Sequence, residues 1–271
     1  MSLAKISETS DVEPQLWRGQ TAQGGPLFEK RFRKAASFSA RFPGGIPYSG
    51  KRVLDVGCGF GALCFHAALE GAVRVHGVDP DCRRIGFARA MLDRYFLVQK
   101  ERIAFFSSGV ENIPHNYYDI IVSMAAFEHI ADPEEVLREM KARLAPGGRI
   151  YIGFGRLYRA PFGDHGRLAS PGQRFFPWSH LVFPLPYLLR RRNRLLSRER
   201  AAACLQDIGL NGCRMREFLR IFQNSGLTVR FLRVNHAKTI WAHVLHLLAL
   251  CPPVLEYFAF NIYCILECPA E

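Results

Sequence analysis

The chain has 271 residues, of which 49% are hydrophobic and 22% are charged. This composition excludes a disordered chain and a mini-protein, and it fits one globular domain with room for a subdomain. The formal charge is +12, and residues 156–271 hold 16 basic against 7 acidic side chains. A local basic excess of this kind indicates an anionic partner but says nothing about fold.

The eight cysteines include no C-x-x-C pair, and the first residues contain no apolar signal segment. We therefore expect reduced, buried thiols and a cytoplasmic protein. The most apolar stretch, Ile240–Ile265, is broken by histidines and by Pro252–Pro253, so we expect it in the core and not across a membrane. Peripheral membrane contact by this stretch, or by Leu181–Leu189 with the adjoining Arg190–Arg192, stays open.

Short β-branched runs alternate with longer helical patterns along residues 51–155. The predicted strands are Arg52–Val56, Val73–Val78, Arg102–Phe106, Tyr118–Ser123 and Arg149–Phe154. The predicted helices between them are Gly61–Leu69, Cys82–Val98 and Asp132–Leu144, the last with Asp132 as N-cap and Pro133 at its first position. This alternation predicts an α/β fold with a doubly wound, parallel sheet.

The pattern changes on either side of this core. Residues 156–198 are rich in Arg and aromatic residues without a clear period, which indicates an inserted, basic aromatic cap. Residues 199–271 return to the sheet pattern, with helices predicted at Ser197–Leu205 and Met215–Asn224 and strands at Leu227–Val234 and Asn261–Cys268. Residues 1–50 include a predicted helix, Pro26–Phe42, which we expect to lie over a cofactor.

The most informative segment is Val53-Leu54-Asp55-Val56-Gly57-Cys58-Gly59-Phe60-Gly61, an apolar strand that runs into three glycines and a helix. Glycines let such a turn approach a ligand closely, and the following helix offers N–H groups. Gly77-Val78-Asp79-Pro80 follows at the end of the second strand. An acid at that position can accept both ribose hydroxyls of a nucleoside, which predicts a nucleotide-type cofactor.

These ordered motifs resemble class I S-adenosylmethionine-dependent methyltransferases, especially the small-molecule branch. The resemblance covers about residues 50–155 and includes Phe127-Glu128-His129 and Leu144-Ala145-Pro146-Gly147-Gly148. It implies a Rossmann-like, mostly parallel sheet of seven strands with an antiparallel strand Asn261–Cys268. It also implies S-adenosyl-L-methionine as cofactor, with contacts from Asp55, Gly57, Cys58, Gly59, Phe60, Gly61, Asp79, Pro80, Ser108, Gly109, Val110, Glu111, Ser123 and Met124.

One position departs from the family pattern. In the segment that cradles adenine, the family often has an acid where this chain has Gly109. Ser108, Glu111 or a backbone carbonyl could contact the adenine amine instead.

Methyl transfer from a sulfonium is a direct displacement, so the protein mainly aligns the two reactants, and a base is needed only for some acceptors. The catalytic residue is therefore unknown; His129, His165 and His180 are the candidates for a base. Asp119 is predicted to have a structural role. The predicted substrate contacts are Phe127, His129, Tyr158, Arg159, Trp178 and His180, and no metal site is predicted.

The cap favours a small acceptor that pairs an apolar or ring portion with an acidic group, such as a quinone precursor, an acidic lipid or fatty acid, a polyketide or a nucleotide-linked sugar. Nucleic acid is the rival acceptor because of the +12 charge. The chain, however, lacks the Pro-Pro-Tyr type of motif after Val122 that grips an extruded base in related methylases. A third hypothesis is a scaffold that binds the cofactor without turnover at a membrane surface. The sequence does not indicate the oligomeric state.

Overall fold

The computed structural model describes residues 24–113, 118–173, 175–196, 201–235, 247 and 254–269. The contacts divide the chain into two compact units, Met1–Val122 and Ser123–Glu271. Seven strands form one sheet in the order β3-β2-β1-β4-β5-β7-β6. They are β1 (Arg52–Val56), β2 (Arg74–Val78), β3 (Ile103–Phe106), β4 (Tyr118–Met124), β5 (Leu144–Gly155), β6 (Thr228–Val234) and β7 (Asn261–Glu267).

The helices follow the strands in the alternation that the sequence predicts. They are α1 (Gly24–Ser39), α2 (Ala62–Leu69), α3 (Cys82–Tyr95), α4 (Pro133–Ala142), α5 (Ser179–Val182), α6 (Leu185–Leu195), α7 (Met215–Asn224) and α8 (Leu255–Phe258). Short 3-10 turns occupy Leu97–Gln99, Val110–Asn112 and Gln206–Ile208. The predicted α/β fold with a doubly wound sheet is confirmed.

In the first unit, β1 is the central strand of a parallel set. It pairs with β2, where Asp55 lies opposite Gly77, and with β4, where Val53 lies opposite Ile120. All residues of β1 and β2 after the first are buried. A strand that is covered on both faces needs mostly apolar side chains on both, as Val53, Leu54 and Val56 show in β1; Asp55 in β1 and His76 in β2 are polar residues buried among them.

In the second unit, β7 pairs antiparallel with both β5 and β6. Glu267 at the end of β7 accepts hydrogen bonds from the guanidinium groups of Arg149 on β5 and Arg230 on β6. These two ion pairs hold the pKa of Glu267 below its usual range. The antiparallel placement of the last strand is thus confirmed.

One predicted helix is wrong in the part that the structure describes. Residues 201–205 of the predicted helix Ser197–Leu205 are not helical, and residues 197–200 lie outside the described ranges. Side chains take the place of helical hydrogen bonds here, because the amide of Asn193 bonds to both N–H and C=O of Ala202 and Asp207 accepts from Ala203 N. The predicted Cys82–Val98 helix also ends early, at Tyr95.

The expectation of buried thiols holds only in part. Among the seven cysteines that the structure describes, Cys58, Cys64 and Cys264 are buried, Cys82 is exposed, and the other three are half-buried. None of the described helices has the length and apolar character needed to cross a membrane. Within the apolar stretch Ile240–Ile265, residues 240–246 and 248–253 lie outside the described residues.

Candidate functional site

The three glycines after β1 make the turn that the sequence predicts. Gly57, Gly59 and Gly61 all have positive φ angles, of 77°, 55° and 77°. The N–H groups of Gly57 and Cys58 donate to the carbonyl of Val78 at 2.9 and 3.1 Å, so the turn is anchored on the end of β2. The loop therefore has a fixed shape, held by backbone bonds.

Asp79 lies against this turn and is only 6% exposed. Its Oδ2 accepts the Gly59 N–H at 3.0 Å, and its Oδ1 accepts the Asp81 N–H at 2.9 Å. Asp81, and not Asp79, is the N-cap of α3, since it accepts from Arg83 N and Arg84 N. Each Asp79 oxygen retains a second lone pair, so a correctly placed carboxylate can still accept the hydroxyls of a diol.

Asp55, on β1, is the second acid of this region, and it is 2% exposed. Burial raises the pKa of Asp55 to about 7, and the negative charge of Asp79 acts in the same direction. The Cys64 thiol, which donates to Oδ2 at 3.4 Å, and the positive charge of Arg31 both act to lower this pKa. A carboxylate that is costly to keep charged gains most from a cationic group of a ligand. Asp55 and Asp79 together fit a ligand with an ammonium and a ribose.

The segment after β3 contains Gly109, the position at which this chain lacks the acid that the family often has. Gly109 has an extended backbone, and a Cβ built on it would overlap both carboxylate oxygens of Glu111. The Glu111 carboxylate thus occupies the space of a side chain at position 109. Ser108 is half-buried and Val110 is buried, whereas the Glu111 side chain is exposed and accepts from Asn112 Nδ2 at 2.8 Å.

The remaining residues predicted for the cofactor differ in burial and packing. Phe60 packs edge-on against Phe87, with ring centroids 5.2 Å apart, and the Arg84 guanidinium lies 6.0 Å from the Phe60 ring. Pro80 is exposed. In the second unit, Ser123 is buried at the end of β4, and Met124 is half-buried.

The loop after β4 carries Phe127, Glu128 and His129. Phe127 is fully buried and packs on Phe154 with ring centroids 5.7 Å apart, so the structure places it in the core and not on a substrate-facing surface. Asn211 braces this loop by donating from its amide to the carbonyls of Phe127 and Ile130 at 2.7 and 2.9 Å.

His129 has a defined tautomer. Its Nδ1 lies 2.6 Å from the carbonyl oxygen of Gly209, which can only accept, so Nδ1 carries a hydrogen, and in the neutral ring Nε2 carries the lone pair. The side chain is 32% exposed, and Nε2 lies 4.0 Å from Glu128 Oε1. In its neutral form this imidazole can accept a proton at Nε2.

The other two candidate bases are packed inside the cap. His165 Nε2 donates to Arg156 O at 2.9 Å, and its ring lies edge-on to His129 at 5.3 Å. His180 is 1% exposed, and its Nε2 donates to Tyr158 O at 2.6 Å. Burial lowers the pKa of both imidazoles, which favours their neutral forms. The burial of His180 does not support its predicted contact with substrate.

Arg159 and Trp178 lie beside one aromatic group of the second unit. Trp178 Nε1 donates to Tyr257 O at 3.1 Å and packs on Phe258, while the Arg159 guanidinium lies 5.8 Å from the Tyr257 ring. Tyr257 is 40% exposed. A cation beside exposed rings can bind a ligand that has both an anionic and an apolar portion.

Asp119 has the structural role predicted for it, because it accepts from Arg52 N at 2.8 Å and from the Arg52 guanidinium. Within the described ranges, no group of three or more His, Cys, Asp or Glu is arranged to hold a metal ion.

Sequence reasoning missed Asn211 and Glu256. Glu256 is 5% exposed and accepts from Met215 N at 3.0 Å and Arg216 N at 3.2 Å, which caps α7 from a distant segment. The sequence around each residue does not indicate these contacts, since their partners lie tens of residues away. Only the Asn211-Gly212 pair, a turn signal, marks the first of them.

Comparison with known proteins places this chain among methyltransferases. The model of a family described as "Methyltransferase domain" matches residues 27–230. The chain is 32% identical over 136 residues to a tRNA U34 carboxymethyltransferase of Idiomarina loihiensis, which is 50% of this chain and 41% of that protein. It is 36% identical over 104 residues to a ubiquinone biosynthesis O-methyltransferase of Aeromonas salmonicida, which is 38% of this chain and 42% of that protein. The matches thus span less than half the length of these relatives.

Among solved structures, a magnesium protoporphyrin IX methyltransferase of Synechocystis PCC 6803 with bound SAH is similar with a TM-score of 0.54. The sequences are 14% identical, and the match covers 97% of this chain and 98% of that one. A similarity at this level of identity shows the fold.

Proposed function

This chain belongs to the class I S-adenosylmethionine-dependent methyltransferase family, and from that premise we propose that it transfers a methyl group to an O, N or C atom of a small acceptor. The observation that carries the proposal is the Asp79 carboxylate, which is fixed by the Gly59 and Asp81 N–H groups at the end of β2. Sheets of this class bind ligands at the carboxyl ends of their strands.

Bound S-adenosylmethionine supplies a sulfonium methyl group that a nucleophile can attack directly. Asp79 would accept the ribose hydroxyls through its remaining lone pairs, and Asp55 would face the ammonium of the methionine part. The Glu111 carboxylate would accept from the adenine amine, because it fills the space of the missing acid at Gly109. The positive-φ glycines of the turn let the backbone approach the cofactor closely.

His129 is the residue that we propose for proton removal when the acceptor carries an O–H or N–H group. The bond to Gly209 O fixes its ring, and the lone pair on Nε2 can take a proton. His165 and His180 are less suited, since both are hydrogen-bonded within the cap and His180 is buried.

For the acceptor, we propose a molecule with an apolar or ring portion and an acidic group. Arg159 next to the exposed Tyr257 ring supports this class of acceptor. The name of the Aeromonas relative, a ubiquinone biosynthesis enzyme, agrees with it. The name of the Idiomarina relative favours RNA as a second candidate.

Calorimetric titration with S-adenosylmethionine and S-adenosylhomocysteine tests the cofactor site. We expect micromolar binding that Asp79→Ala and the isosteric Asp79→Asn weaken by about 100-fold, since hydrogen bonds to a charged group contribute about 1.5–3 kcal/mol each. Asp93→Ala is the matched control, because Asp93 is exposed on α3 and pairs with Lys100 at 2.7 Å. Folded protein that binds neither ligand would overturn the proposal.

Transfer of a labelled methyl group tests the acceptor. The assay compares phenolic acids and fatty acids with bulk tRNA, in wild type and in His129→Gln. We expect label in the small acids and a rate in His129→Gln that is at least ten-fold lower for acceptors that must lose a proton. Label in tRNA alone would favour the second candidate.

A further inference from the structure

Helix α6 (Leu185–Leu195) presents a basic surface that the methyl-transfer proposal does not use. Its exposed residues Tyr187, Arg190, Arg191, Arg194 and Leu195 recur every three or four positions, so they lie on one side of the helix. We call this set the arginine face.

The opposite side of α6 is fixed to the protein. Leu188 and Leu189 are buried in a cluster with Leu168, Ile208 and Leu210. Asn193 holds the chain after the helix by bonding to both backbone groups of Ala202. The arginine face therefore lies on a helix whose opposite side is packed against the protein.

The charge of this region is strongly one-sided. Residues 165–196 contain six arginines and no Asp or Glu. Three of these arginines lie on the arginine face. Because the segment contains no acid, none of its own residues neutralises their positive charge. A face of this kind attracts an anionic surface, and guanidinium groups match phosphate in particular.

Exposed apolar side chains accompany the arginines. Leu195 is 62% exposed and Tyr187 is 47% exposed, and both belong to the arginine face. Val182, one turn before α6, is 61% exposed. Exposed aliphatic groups gain little from the phosphates and base edges of RNA, but they gain from insertion at the boundary between lipid headgroups and acyl chains.

We propose that the arginine face docks the protein on an anionic lipid surface. The guanidinium groups bind lipid phosphates, and Tyr187 and Leu195 enter the headgroup layer. This contact is peripheral and does not depend on methyl transfer, because none of its residues belongs to the proposed cofactor or acceptor groups.

Vesicle co-sedimentation tests the proposal with the full chain. The vesicles contain phosphatidylcholine alone or phosphatidylcholine mixed with phosphatidylglycerol. We expect binding to the anionic vesicles only, and a partition coefficient that is about 100-fold lower in Arg190→Gln/Arg191→Gln/Arg194→Gln, since each basic residue near such a surface contributes about five-fold.

Two further variants make the test specific. The triple variant Arg74→Gln/Arg102→Gln/Arg220→Gln removes the same charge from exposed positions elsewhere, and we expect it to keep most of the binding. Tyr187→Ser/Leu195→Ser keeps the charge and should bind less at high salt. Circular dichroism confirms that each variant is folded.

Three outcomes would overturn the inference: equal losses in the two arginine triples, equal binding to neutral and anionic vesicles, or tighter binding to an unrelated RNA than to the anionic vesicles at the same salt. The last result would assign the arginine face to nucleic acid. Loss of cofactor binding in Asp79→Ala would leave the vesicle result unchanged, so the two proposals fail separately.

Discussion

At the scale of single residues, burial determines the pH at which Asp55 loses its proton. The side chain lies in β1 with 2% of its surface exposed, and burial raises its pKa to about 7. Unfolding exposes the same carboxyl to water, where its pKa is about 3.9. Between these two values the folded protein keeps a proton that the unfolded chain has released.

We predict from this that Asp55 makes the ligand-free protein less stable as the pH rises from about 4 to about 7. The slope of the unfolding free energy contributed by one proton is about 1.4 kcal/mol per pH unit. Urea denaturation at several pH values should show that wild type loses stability relative to the isosteric Asp55→Asn across this window. Parallel profiles of the two proteins would contradict the assignment.

A second prediction at this scale concerns Glu111 and Gly109. Glu111→Ala should weaken S-adenosylhomocysteine binding by about ten-fold, because it removes one charged hydrogen-bond acceptor. Gly109→Asp alone should also weaken binding, since the new carboxylate would displace the exposed Glu111 carboxylate from this place and set a like charge beside it. The double variant Gly109→Asp/Glu111→Ala should restore affinity in calorimetry. If it binds no better than either single variant, a carboxylate at position 109 does not replace the carboxylate of Glu111.

At the scale of elements, the join between β1 and α2 depends on Gly61. Its φ of +77° is costly for any residue with a Cβ, and a Cβ there would lie 2.6 Å from Phe105 Cζ and 3.1 Å from Phe65 Cε2. Gly61→Ala should therefore lower the unfolding free energy by about 2 kcal/mol.

Gly86 provides the control for this prediction. It lies within α3, and a Cβ there would meet nothing within 4 Å. Gly86→Ala should raise the unfolding free energy by about 0.5–1 kcal/mol, because alanine restricts the unfolded chain more than glycine does. Equal effects of the two substitutions in urea denaturation would contradict the packing described at Gly61.

The elements that sequence predicted best are those whose signal is local. The strand Arg52–Val56 and the helix after Asp132 and Pro133 have their periodicity and caps within a few residues. The predicted helix at Ser197–Leu205 fails over residues 201–205 because Asn193 and Asp207 satisfy the backbone there with side-chain bonds. Such competition between side chain and helix depends on residues outside the helical window.

At the scale of the whole molecule, cofactor binding and folding are linked. A ligand that binds only the folded state at 100 times its Kd adds about 2.7 kcal/mol to the unfolding free energy. Thermal denaturation with S-adenosylhomocysteine at that ratio should raise Tm by about 5–10 °C for a chain of this size. Asp79→Ala should show no such increase, and a shift of equal size in that variant would place the ligand elsewhere.

The candidate site combines residues that the sequence could predict with residues that it could not. The acids Asp55 and Asp79 and the glycine turn belong to motifs in fixed order along residues 53–80, so the sequence alone could predict them. The bracing of the Phe127–Ile130 loop by Asn211 and the capping of α7 by Glu256 depend on contacts between distant segments. The charge of α6 was visible in the sequence, but which of its arginines face outward required the helix.

The exposed Cys82 has a practical consequence for chemical labelling. Cys82 begins α3, next to the cap residue Asp81, whereas burial raises the pKa of the Cys58 and Cys64 thiols and leaves few of them as thiolates near neutral pH. A maleimide dye should therefore react at Cys82 well before these two. The dye would sit beside the end of β2, where its fluorescence could follow ligand arrival and departure in stopped-flow experiments.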